Sequence, residues 1–492
     1  MAVKLHTQYI PDGLKHLRDT STYLRLSESQ ALEEDSQLRQ DIKDWISEFS
    51  SSLHKDHISY IEAKLKESEK EPFGYFYLLY KLHKKPIKTR PVCSDCASTP
   101  HALGRWVDET LQPLVRAQAT YFKDSFTLKS ELCKLKLPAN TSILSFDAVS
   151  MYTKIDTEDC ISRLSKYLSA STTTSRFNHY SPEALITAIK LVLRNNRMKF
   201  GDIIVRQLVG IAMGMSPAPS LANLYVALHE ERAVLPFLGN CVFYLKRFID
   251  DGLCIWLHDP DPEVDALNWS RFQTAVTSGG LDWTFTQRSQ SVDFMDMTIK
   301  LVGSKVETTL FEKPLALHLY IPPHSCHAPG VSISTVMGKV LRIIQLCTHK
   351  QDVDEKLKTF FGQLLDRGYQ MKPLKALFQR AIKSAESHMR KPEALRNKLA
   401  SAKESTSRRQ IYLHLPYHPC NPPARELQQL WQRVIFRPPD ATPLKHLTNL
   451  GGAPIPVDRM ILAYSLAPDL GNLLSYRKIC KRMGPKVSSF LD

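Results

Sequence analysis

Two adjacent acids set between apolar runs constrain this chain more than any other feature. Val242-Phe243-Tyr244-Leu245-Lys246-Arg247-Phe248 and Leu253-Cys254-Ile255-Trp256-Leu257 both favour strand, with Ile249-Asp250-Asp251-Gly252 between them. An Asp-Gly step there predicts a hairpin, Gly252 supplying the positive φ of a tight turn and both acids sitting at the tip. Two carboxylates that close repel unless a cation lies between them. Taken alone, the pair is explained as well by an ordinary polar turn. A third acid shifts the balance, because Ile143-Leu144-Ser145-Phe146-Asp147 reads as a short apolar strand ending in a carboxylate. A strand-terminal Asp with a distant Asp-Asp turn suits two-metal phosphoryl transfer. Asp147, Asp250 and Asp251 are therefore the candidate metal ligands and catalytic residues.

Composition narrows the partner. The 492 residues carry a formal charge of +15 and are 43% hydrophobic, which describes a globular, basic protein of several subdomains. An acidic partner is implied, nucleic acid first among them. No apolar run approaches the length of a membrane span, and Met1-Ala2-Val3-Lys4-Leu5-His6 lacks the core of a signal peptide. No membrane partner is expected, and an intracellular, nuclear setting follows from the presumed substrate. Of ten cysteines only Cys93 and Cys96 have metal-ligand spacing, with no second such pair, so free thiols are expected.

Along the chain, residues 1–70 are polar and helical in pattern. From Phe73 the run Phe73-Gly74-Tyr75-Phe76-Tyr77-Leu78-Leu79-Tyr80 reads as an aromatic strand. The basic residues Lys81, Lys84, Lys88 and Arg90 follow it. Arg grips phosphate bidentately and Lys acts as a point charge, so a triphosphate clamp competes there with a solvated basic face. Residues from about 140 to 300 alternate strand and helix signals, as a sheet with packed helices does. Beyond about 305 the chain reads as helical and basic, and Lys383 to Arg409 as exposed. A last helix is expected around Arg425-Glu426-Leu427-Gln428-Gln429-Leu430-Trp431. The block Gly210-Ile211-Ala212-Met213-Gly214-Met215-Ser216-Pro217-Ala218-Pro219 lets backbone approach a ligand closely just before a helix.

Together these blocks resemble reverse transcriptases. Phe146-Asp147 with Tyr152, Met213-Gly214 through Pro219 to Ala222-Asn223, and Phe248-Ile249-Asp250-Asp251 look like the family's A, B and C motifs. The resemblance is closest to Penelope-like retroelements. It is carried by Tyr80-Lys81-Leu82-His83-Lys84 with Arg90-Pro91-Val92, and by Phe294-Met295-Asp296-Met297-Thr298-Ile299. Further matches are Thr309-Leu310-Phe311-Glu312-Lys313-Pro314, His324-Ser325-Cys326-His327 and Arg367-Gly368-Tyr369. It spans about Phe73 to about Tyr476. Met213 stands where many reverse transcriptases carry Gln, and Phe248 where Tyr is common. The endonuclease module with paired Gly-Ile-Tyr and Tyr-Ile-Gly motifs is missing before Asp492, so an endonuclease-lacking or truncated form is expected.

The resemblance implies an α+β right-hand polymerase. Its parts would be a helical N-terminal region 1–70, fingers 71–140, palm 141–303, a helical thumb 304–400 and a C-terminal extension 401–492. It implies an RNA-directed DNA polymerase that binds an RNA template, a DNA primer and deoxynucleoside triphosphates. Two Mg²⁺ ions, replaceable by Mn²⁺, would lie on Asp147, Asp250 and Asp251. Lys81, Lys88, Arg90, Tyr152, Met213 and Gly214 would bind the nucleotide, Tyr152 as the gate against a 2′-hydroxyl. Arg288, where a proton-donating Lys is often found, is a poor acid. An RNA-dependent RNA polymerase and a catalytically idle nucleic-acid-binding protein remain as alternatives.

Overall fold

A computed structural model of the protein describes residues 6–81, 86–313, 318–325, 327–328, 330–390, 410–417, 421–435 and 459–465. The described residues fall into two compact units, one within Met1–Phe311 and one within Glu312–Leu474. Helices and largely antiparallel sheets share the first unit, so the chain is α+β as expected. Its strands are β1 Tyr23–Leu26, β2 Gly74–Lys81, β3 Lys88–Ser94, β4 Thr141–Ala148, β5 Arg197–Phe200 and β6 Ile203–Gln207. They continue with β7 Val242–Phe248, β8 Asp251–Leu257, β9 Trp283–Phe285, β10 Ser291–Phe294, β11 Met297–Val302 and β12 Lys305–Leu310.

Three sheets result, ordered β1-β6-β5-β2-β3, β7-β8-β4-β9 and β10-β11-β12. The second carries the acids. In β4 and β8 nearly every residue is buried, so these strands read as continuous apolar runs and sit at the centre of their sheet. On one face Leu144, Phe146, Cys254 and Trp256 pack on Phe272 and Val276 of the helix Pro262–Thr277. The other face bears Ile143, Leu253 and Ile255, fully buried, and ends in Asp147 and Asp251.

The hairpin forms as predicted, but its turn chemistry differs from the expectation. Phe248 pairs with Asp251, so the two-residue loop is Ile249-Asp250, and Ile249 takes the positive φ of 55°. Gly252 lies inside β8, directly opposite Phe146, and a Cβ there would run into the Phe146 ring. The glycine is needed for close packing and not for the turn. A β-branched residue in the left-handed region is strained, so something else must hold Ile249 in place.

Two further expectations change in the same way. Residues 1–70 contribute a strand as well as helices, because Tyr23 and Leu26 bury themselves where β1 pairs with β6. Lys305–Leu310 is strand and not helix: Val306, Thr308 and Leu310 are buried alternately, a period of two that suits pairing with β11. Helices of the second unit begin at Val331, with Val331–Leu346, Lys350–Asp366 and Met371–Arg390 in succession. Phe360 and Phe378 meet at 5.5 Å between ring centroids in that unit. It also holds the parallel pair Gln410–Pro416 and Arg459–Ser465, and the expected last helix, Ala424–Ile435. Residues 391–409, and with them most of the expected exposed charged stretch, lie outside the described residues.

Replacing Gly252 with Ala should destabilise the fold by about 1–3 kcal/mol, the usual cost of overpacking a filled site. Urea unfolding measures this. Phe146→Leu in the same chain should recover part of the loss, and strict additivity would show that the two positions do not press on each other.

Candidate active site

Register brings the first two acids together. Asp147 pairs directly with Asp251 across β4 and β8, and directly paired residues share a face. Such partners have Cβ atoms roughly 4.5–5.5 Å apart. Asp147 is exposed and Asp251 half-buried, so this end of the sheet is open. Asp250 belongs to the turn, and its carbonyl accepts the Ala148 N–H at 3.0 Å, which ties the turn to the end of β4. Phe248 stands beside Asp251 on the same face, its ring 5.6 Å from that of Phe122.

Carboxylate oxygens are hard ligands of the kind Mg²⁺ prefers, and Mg²⁺ is commonly held by one or two carboxylates together with substrate phosphates. The directly opposed Asp147 and Asp251 fit that pattern. Among the described residues no group of three or more His, Cys, Asp or Glu side chains forms a metal cage of its own. Among the described residues Cys93 and Cys96 are free thiols, Cys93 buried and Cys96 exposed.

The nucleotide-binding candidates divide between two elements. On the β2–β3 hairpin Lys81 pairs with Lys88 and Leu79 with Arg90, so the three cations share one face. Two directly opposed ammonium groups repel, which favours an anion at that point. Residues 82–85, including Lys84, lie outside the described residues. Met213 and Gly214 lie against the same hairpin: the Cys93 N–H donates to the Met213 carbonyl at 2.8 Å. Gly214 takes a φ of 112°, and a Cβ there would strike the Cys93 carbonyl oxygen, so only glycine fits.

Tyr152 joins these parts. Its carbonyl accepts the Ile211 N–H at 2.7 Å, so the glycine-rich loop is docked on it. Burial first, and then the Asp250 carboxylate, push the Tyr152 phenol up to about 12, while Arg90 works against them. Tyr152 therefore lies within electrostatic reach of both Asp250 and Arg90. Arg288 is engaged elsewhere: it donates to Asp265 at 2.8 Å and lies over the Trp256 and Trp269 rings. Asp265 also accepts from the Trp256 indole at 2.8 Å, so this cluster fastens the Pro262–Thr277 helix to the sheet.

Sequence reasoning missed two supports. Arg247, 2% exposed, forms a buried ion pair with Glu230, 4% exposed, at 2.7 Å. Strand alternation was the available signal, since a residue next to an outward-facing Phe248 must face the core, where a cation needs an acid. The second is the N-terminal helix His6–Leu17, which lies behind the β2–β3 hairpin. Tyr9 accepts the Leu78 N–H at 3.0 Å, Tyr80 donates to Asp12 at 2.7 Å, and His16 Nε2 lies 2.7 Å from Thr89 Oγ1.

Neither a family model nor a curated protein matches this sequence. Among solved structures, the chain is similar to telomerase from Candida albicans in complex with a fragment of telomeric RNA. That match has 12% identity and a TM-score of 0.42, and covers 69% of this chain and 58% of that one. The apo telomerase from Candida tropicalis matches at 10% identity and a TM-score of 0.39, over 64% of this chain and 57% of that one. The Sicinivirus RNA-dependent RNA polymerase matches at 10% identity and a TM-score of 0.39, over 67% of this chain and 72% of that one. The chain thus spans a little over half the length of these telomerases. At such identities the reaction has to be argued from this chain's own residues.

Burial and then Lys15 hold the His16 pKa below its ordinary value, against a pull from Asp12. The folded state therefore binds this proton less readily than the unfolded chain. Its contribution is complete above about pH 6.5 and is lost as pH falls below that. Relative to the intrinsic rate, which itself slows on acidification, amide exchange in β2 and β3 should show an excess that grows as pH falls below about 6.5, and His16→Gln should abolish that excess. An equal excess in the variant would locate the titration elsewhere.

Proposed function

We propose that this chain is an RNA-directed DNA polymerase of the Penelope-like kind, extending a DNA primer on an RNA template. The observation that carries the reading is the pairing of Asp147 with Asp251, with Asp250 anchored to the end of β4 and within electrostatic reach of Tyr152. Like charges fixed opposite each other at the open end of a sheet favour a cation between them.

Asp147, Asp250 and Asp251 would hold two Mg²⁺ ions, or Mn²⁺ in their place, which when bound activate the primer hydroxyl and neutralise charge on the departing pyrophosphate. The remaining roles fall to this chain's other groups. Arg90, with Lys81 and Lys88 on the same hairpin face, would orient the triphosphate. Gly214 lets the Met213-Gly214 loop sit directly on the Cys93 backbone, so that loop and the cationic hairpin would meet the nucleotide as one surface. The Tyr152 ring is half-buried, on a backbone fixed by the Ile211 N–H, and would fill the space a 2′-hydroxyl needs. Its phenol stays protonated through the physiological range, so no charge develops beneath the sugar.

Primer extension on an RNA template, with Mg²⁺ or with a chelator, tests the reading. Wild-type protein should extend with deoxynucleotides in the presence of metal only. Asp250→Asn should lower the rate by about 10²-fold or more, the scale of removing one preorganised electrostatic group. Its affinity for the primer–template duplex should hold. Tyr152→Ala should raise incorporation of ribonucleotides relative to deoxynucleotides by about tenfold or more, as emptying a packed pocket does. Equal use of both nucleotides by the wild type would mark an RNA-dependent RNA polymerase. Salt-dependent RNA binding without metal-dependent chemistry would mark a binding protein.

A further inference from the structure

The strained Ile249 of the turn that carries Asp250 is met by one buried side chain, Arg247. Arg247 places all five of its guanidinium N–H groups on acceptors. Nε donates to Glu230 Oε1 at 2.7 Å and Nη2 to Glu230 Oε2 at 3.1 Å, a bidentate pair. Nη2 also donates to the Asn223 carbonyl at 3.1 Å, and Nη1 to Asn223 Oδ1 at 3.0 Å. The last bond runs from Nη1 to the carbonyl of Ile249 at 2.8 Å. Glu230 is completed by the Thr120 hydroxyl, which donates to it at 2.7 Å.

We propose that Arg247, locked by Glu230 and Asn223 of the helix Ala218–Ala233, is a positioning residue that sets the Ile249-Asp250 turn and so the place of the Asp250 carboxylate. The inference rests on the polymerase reading for the purpose of that carboxylate, and on geometry alone for the brace. A guanidinium is planar, so orienting two of its edges on Glu230 and Asn223 fixes where its remaining N–H points. That N–H meets the carbonyl of the one residue in the turn with positive φ. On the other side the Asp250 carbonyl is bound by Ala148 N–H, so consecutive peptide groups of the turn are fastened to two different elements. Lysine, with a single tetrahedral ammonium, cannot reach the same five acceptors.

The brace also joins two parts of the site. The helix that supplies Glu230 and Asn223 is the one led into by the Met213-Gly214 loop. A shift of this helix moves the Asp250 turn with it, so the loop that meets the nucleotide and the acid that meets the metal share one rigid support.

The test separates positioning from mere stability. The double variant Arg247→Met/Glu230→Leu replaces the buried pair with apolar groups of similar volume, which commonly preserves or raises stability. Arg247→Lys keeps the charge and loses the fork. Binding of Mn²⁺ to the protein–primer–template complex is read from the free-ion electron paramagnetic resonance signal, beside melting temperature, duplex affinity and the hydrogen exchange of the Ala148 amide. The expectation is a melting temperature near wild type for the double variant and an unchanged duplex affinity. Half-saturation by Mn²⁺ should rise roughly 10- to 100-fold, as when a group orienting a metal ligand is removed. The Ala148 amide should exchange at least about tenfold faster, because its acceptor is no longer held. Wild-type Mn²⁺ half-saturation and wild-type Ala148 exchange in either folded variant overturn the proposal. If the wild type itself binds no Mn²⁺ and extends no primer, the polymerase reading fails. The Ala148 exchange then still decides whether Arg247 sets the turn.

Discussion

Two carboxylates placed directly opposite each other on neighbouring strands repel, and everything around Asp147 and Asp251 serves to keep them there. The pairing of β4 with β8 does most of this. Its inner positions, Ile143, Leu144, Leu253, Cys254, Ile255 and Trp256, have no solvent exposure. A slip of one residue would turn each of these side chains to the wrong face. Burial of several large apolar side chains, at about 1.5–3 kcal/mol each, outweighs a like-charge contact near the surface, whose cost is on the scale of 1 kcal/mol. The repulsion is tolerated because the core sets the register. What remains is a fixed concentration of negative charge that a divalent ion can relieve.

The second tension is between the turn and its backbone. Ile249 occupies a conformation that β-branched residues avoid, at a cost of order 1–3 kcal/mol. Arg247 and Ala148 secure the carbonyls of Ile249 and Asp250, so the strained geometry is the one in which both are satisfied. A buried ion pair adds little net stability, yet breaking it from one side leaves an uncompensated charge and costs about 3–5 kcal/mol. That asymmetry suits a support whose purpose is position. The β2–β3 hairpin is handled similarly: Lys81, Lys88 and Arg90 share one face, while Tyr9, Asp12 and His16 of the N-terminal helix grip the hairpin from behind.

Much of the site was legible in the sequence because its strands are short apolar runs with clear boundaries. Ile143 to Asp147, Val242 to Phe248, Leu253 to Leu257 and Gly74 to Tyr80 all lie within observed strands. The turn was misread at Gly252, since a glycine next to two acids looks like turn chemistry whichever side of the closing pair it occupies. Only the packing of Phe146 against it reveals its use. Lys305 to Leu310 was readable by its alternation, but its polar content masked a strand as the start of the helical part. Arg247 was present as a cation in an apolar strand, which is itself a sign of a buried acid, although nothing local names Glu230 as that acid.

The sequence by itself determined most of the local elements, the excess of positive charge and the position of three acids at the ends of apolar strands. Tertiary structure alone decided that Asp147 faces Asp251, that Arg247 meets Glu230 and Ile249, and that Tyr152 lies within reach of both Asp250 and Arg90. Backbone propensity and hydrophobic period act over a few neighbouring residues, whereas all of these contacts but that of Arg247 with Ile249 join separate elements of the chain. Which distant partners meet is settled only when every buried side chain and every buried polar group is satisfied at once.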